Sequence, residues 1–137
     1  MDIHNDILLA GKSTVYSLFY SQVRRNQNVI AIEYQGKTWT YAEIDEAVRC
    51  LAAVFKDYGI VKEDRVAILS ENRPEYIVAE LACAMIGAII ACQNWRLSID
   101  ELNHCINLVN PRLILVSERF TNNLNKLNVD FFKYHII

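Results

Sequence analysis

The 137-residue chain holds only four glycines, Gly11, Gly36, Gly59 and Gly87, each more than twenty residues from the next. A phosphate cradle needs glycines a few residues apart, so that backbone N–H groups can approach the phosphates. No Walker loop and no dinucleotide fingerprint can therefore be encoded in this stretch. The four cysteines, Cys50, Cys83, Cys92 and Cys105, contain no Cys-x-x-Cys pair, and His4, His104 and His135 complete no zinc spacing. All four fall in apolar segments and are expected to be buried thiols in a reducing cytoplasm, acting as small hydrophobes. An excess of basic charge is also missing. Fourteen Lys and Arg against sixteen Asp and Glu give a net charge of −2, with no clustered basic surface of the kind nucleic acid requires.

A long apolar run is missing too. Residues 76–92 come nearest, with Glu80 as their only charge. A spanning helix needs about 20 apolar residues, and Gly87 divides this run into a helix-like and a strand-like half. No transmembrane segment is expected. The acidic start, Met1-Asp2-Ile3-His4-Asn5-Asp6, does not follow the basic-then-apolar order of a secretory signal.

What is present is the composition of a globular domain, 53% apolar and 22% charged. Apolar residues at helical spacing over 13–25 predict a helix capped by Ser13. Residues 29–34 are β-branched and apolar, Gln35-Gly36 permits a turn, and 37–39 can return as a hairpin. Thr40-x-x-Glu43 is a capping box. It opens a helix whose inner stripe is Tyr41, Ile44, Val48, Leu51, Phe55 and Tyr58, ended by Gly59.

Residues 65–69 lack alternation and predict a strand buried on both faces. Asn72 offers a cap, Pro74 suits a first helical turn, and the helix over 74–86 is apolar nearly all round, as if buried between layers. A second buried strand is expected over 88–92. Ser98-x-x-Glu101 is another capping box, with Ile99, Leu102, Ile106 and Val109 inward and Asn110-Pro111 as the stop. A third strand follows over 113–116, then a helix over 117–127, and a further strand begins at Val129. The alternation implies an α/β fold, mainly a parallel sheet with packed helices, in a single partial domain over residues 1–137.

Few side chains suggest chemistry. Ser70 and Ser117 each follow a buried strand, where α/β proteins place functional groups. Neither sits in a Gly-x-Ser-x-Gly turn, and helix capping is the reading favoured for both. Glu71 and Glu75 flank a helix start, where a carboxylate suits the helix dipole without a catalytic role. His104 is expected on a solvated face. Trp95-Arg96 is read either as a stacked pair or as a loop plug, with the plug favoured.

Several stretches together resemble the adenylate-forming enzymes, a family of acyl-CoA synthetases, luciferases and peptide-synthetase adenylation domains. Thr38-Trp39-Thr40-Tyr41-Ala42-Glu43-Ile44 is similar to the first core motif of that family. Asp64-Arg65-Val66-Ala67-Ile68-Leu69 with Asn72-Arg73-Pro74-Glu75-Tyr76 matches the next stretch, and Ala84-Met85-Ile86-Gly87-Ala88 resembles the second motif. Asn94-Trp95-Arg96-Leu97-Ser98 before Glu101-Leu102 resembles fatty-acid and related acyl-CoA ligases, and 113–117 fits the strand that follows. The likeness runs from about residue 14 to residue 127. Ala91-Cys92-Gln93 departs from it, since the family places a proline there.

The resemblance implies a two-step reaction. A carboxylate attacks the α-phosphate of ATP, and the thiol of CoA then displaces AMP from the acyl-adenylate. It also implies that the phosphate loop, the Mg²⁺ site and a carboxy-terminal lysine lie beyond the matched region. No catalytic, cofactor-binding or metal-binding residue is therefore assigned to any position. The chain is expected to be an amino-terminal scaffold portion of an acid–CoA ligase, inactive alone, with the rest of the ligase as its partner and with ATP, Mg²⁺, CoA and a carboxylic acid used by the whole. The apolar final residues 131–137 read as a strand cut in progress, so truncation is expected. Two other readings stand beside this one: a protein-interaction module associating through exposed sheet edges, and a small-ligand α/β domain.

Overall fold

The computed structural model describes residues 3–128 and 134–137. The helix expected from Ser13 is α2 (Val15–Asn26), and its cap is Thr14, whose hydroxyl accepts from the Ser17 N–H. Ahead of it lies α1 (Ile3–Gly11), which the sequence reading did not anticipate. The hairpin β1 (Ile30–Tyr34) and β2 (Lys37–Thr40) pairs antiparallel. Its turn places Gln35 at φ 51° and Gly36 at φ 75°, the two positive angles that a tight hairpin turn demands. The Thr40–Glu43 capping box forms in full at the start of α3 (Tyr41–Asp57). Ile44, Val48, Ala52 and Phe55 on its inner stripe are buried.

The central sheet is formed by β3 (Arg65–Leu69), β4 (Ile89–Cys92), β5 (Leu113–Val116) and β6 (Tyr134–Ile136), in the order β4-β3-β5-β6. All three pairings are parallel, as the non-alternating apolar strands implied. Val66, Ile68, Leu113 and Leu115 face a core closed by α3 and α4 (Pro74–Ile86), with Tyr16 and Phe19 of α2 packed against it. Ala67, Leu69, Ile114 and Val116 face the opposite way, onto Leu102 and Ile106 of α5 (Ile99–Val109) and onto Phe120. Helices thus cover both faces of one sheet.

Several sequence expectations need correction. β4 is an edge strand, so Ile89 and Cys92 are exposed and the strand is not buried on both faces. α4 is not enclosed between layers, because Ile77, Glu80 and Met85 reach solvent. Its N-cap is Arg73 in place of Asn72, with no side-chain cap bond. The helix expected over 117–127 is a short 3₁₀ turn, Glu118–Phe120, followed by α6 (Thr121–Leu124). The expected strand start at Val129 lies outside the described residues.

Gly87 ends α4 at φ 76°, and an added Cβ there would come within 3.0 Å of the Lys62 side chain. The angle favours glycine, and the exposed Lys62 side chain would have to shift to admit a Cβ. Arg65 closes the far end of α5 by donating from Nε to the Val109 carbonyl at 2.6 Å.

Candidate functional site

β3 and β5 are neighbours, yet the chain leaves them towards opposite faces of the sheet. The loop after β3 leads into α4 on one side, and Phe120 after β5 packs on the other. Such a reversal opens a crevice at the carboxyl ends of the two strands, the usual ligand position in open α/β sheets. Ser70 and Ser117, singled out from the sequence, are brought together there with Glu71.

Neither serine acts as the expected side-chain cap. Ser117 starts the 3₁₀ turn without a side-chain cap bond. Its Oγ instead donates to Glu71 Oε2 at 2.6 Å. The Ser70 hydroxyl donates to the Glu71 carbonyl at 2.9 Å. The bond from Ser117 holds the Glu71 carboxyl below the usual carboxylate range, against the opposing effect of burial. A carboxylate so stabilised is a poor general base, and Ser117 is completely buried. The pair therefore fastens two loops and does not form an activated nucleophile.

Arg73 faces the same crevice. It grips Glu75 with two parallel bonds, Nε to Oε2 at 2.8 Å and Nη2 to Oε1 at 2.9 Å. The bond lowers the Glu75 pKa, with burial opposing it, and raises that of Arg73. A third, longer contact runs from Arg73 Nη1 to the Ile137 carbonyl at 3.4 Å. Tyr34, Lys37 and Trp39 from the hairpin complete a cavity of about 330 Å³ with Glu71, Arg73 and Glu75. Two cations balance two carboxylates in this lining, so the cavity has no net sign with which to select a polyanion. Arg73 could have been suspected from its place directly before Pro74, two residues from Glu75. The hairpin residues carry no local signal of this meeting.

At the neighbouring strand ends, Gln93 is buried and donates from Nε2 to the Ala91 carbonyl at 3.1 Å. Trp95 satisfies both sequence readings at once. It packs on Phe120 with ring centroids 5.7 Å apart, and the guanidiniums of Arg96 and Arg119 lie 4.8 and 5.0 Å from its ring centre. His104 is exposed, as expected.

The four-buried-thiol expectation fails. Cys83 alone is buried, Cys105 is intermediate, and Cys50 and Cys92 are exposed. Cys92 reaches solvent because its strand is an edge, and Cys50 lies off the inner stripe of α3. Among the described residues no three His, Cys, Asp or Glu side chains converge to hold a metal ion. With no glycine-rich loop and a charge-balanced crevice, the residues present do not fit a triphosphate and its Mg²⁺.

Residues 19–133 match the family model described as AMP-binding enzyme. The chain belongs to the AMP-binding enzyme family. Long-chain fatty acid transport protein 6 of Mus musculus is 31% identical over 104 residues, covering 75% of this chain and 17% of that protein. A feruloyl-CoA synthase from an Amycolatopsis species is 34% identical over 85 residues, covering 62% of this chain and 17% of its own length. Among solved structures, one described as a long-chain-fatty-acid CoA ligase from Rhodopseudomonas palustris superposes with a TM-score of 0.83 at 26% identity, covering 91% of this chain and 33% of that one. The chain thus spans about one sixth of the curated AMP-binding relatives it matches. Its parallel sheet with helices on both faces is the architecture of the amino-terminal part of acyl-CoA ligase structures.

Proposed function

We propose that this chain is scaffold: the amino-terminal portion of an ATP-dependent acid–CoA ligase, carrying none of the groups that act on ATP. One observation carries the reading. The AMP-binding match fills residues 19–133, yet this stretch contains no closely spaced glycines, and its strand-end crevice is charge-balanced and internally bonded. In the whole ligase, ATP with Mg²⁺ would activate a carboxylic acid and CoA would accept the acyl group. The chain's own residues contribute a sheet and a fastened pair of loops against which later segments pack. Its setting is a reducing cytoplasm. The names of its relatives point to an acyl acid as substrate, long-chain or aromatic.

Equilibrium binding of ATP, with and without Mg²⁺, tests the reading on the 137-residue chain. No saturable binding is expected. Stoichiometric binding would mean that the nucleotide site lies within this chain, and would overturn the assignment.

A further inference from the structure

We draw no further inference here: the strongest candidate, the groove of about 480 Å³ between β1 and the start of α4, lined by Ile32, Tyr34, Pro74, Tyr76 and Ile77, is an open face of a chain that spans about one sixth of its relatives, and nothing in the structure shows what covers it.

Discussion

The Ser117 hydroxyl reaches Glu71 Oε2 across 2.6 Å and ties the end of β5 to the loop that leaves β3. The two segments depart to opposite faces of the sheet, and this bond pins them at their point of divergence. Replacing Ser117 by Ala should destabilise the fold by about 1.5–3 kcal/mol at neutral pH, the range for a bond to a charged acceptor. Glu71 is held below its ordinary pKa, so its contribution is fully present above about pH 4.3 and is lost as pH falls through the depressed folded value. The gap between wild type and Ser117→Ala in urea titrations should therefore close in acid. A gap that persists unchanged at low pH would assign the loss to packing alone.

Asp45 fastens α2 to α3. It is buried, accepts from the Tyr16 hydroxyl at 2.9 Å, and accepts from Arg49 Nε at 2.7 Å. Tyr16→Phe removes one donor and should cost about 1 kcal/mol. Asp45→Ala removes the acceptor of the Tyr16 hydroxyl and of the half-exposed Arg49 together and should cost more than Tyr16→Phe. Chemical denaturation of the two variants checks the order, and equal losses would mean that the ion pair with Arg49 contributes nothing.

Ile44 is 2% exposed on the inner stripe of α3. Ile44→Asp places a carboxylate in that core without a partner, a change of the kind that costs roughly 4 kcal/mol or more. Loss of the cooperative thermal transition is the expected result. A melting temperature within a few degrees of wild type would show that this face is not the core face.

The cysteines should separate by reactivity. Cys50 and Cys92 are exposed and should react promptly with a thiol reagent in the native state, and Cys105 more slowly. Cys83 should react only on unfolding, since burial shields it and pushes its pKa up to about 12. Mass spectrometry of a labelling time course reads the order directly. Early labelling of Cys83 would contradict the packing of α4 on α3.

The sequence was most legible where local chemistry decides structure. Thr40-x-x-Glu43 and Ser98-x-x-Glu101 are complete capping boxes in the structure, and Gln35-Gly36 makes the hairpin turn. Errors arose where position in the sheet overrides local pattern. The segment ending in Cys92 reads as a fully buried strand, but as an edge strand it lacks a neighbour on one side, and neither apolar composition nor period records strand order. The crevice was half visible. Ser70, Ser117, Glu71 and Glu75 stood out from their places after strands and at a helix start. The bonds between them did not, because Ser117 and Glu71 are 46 residues apart and meet only once β3 and β5 pair. α1 went unread because its nine residues fall short of the window of about 11 residues over which helical spacing is legible.

ATP–pyrophosphate exchange tests the central claim most directly. The 137-residue chain would be incubated with ATP, Mg²⁺, labelled pyrophosphate and a panel of carboxylic acids that includes long-chain fatty acids and ferulate. The scaffold account predicts no acid-dependent exchange above the protein-free blank. Exchange that requires both the chain and an acid would contradict it and would place the adenylating groups within these residues.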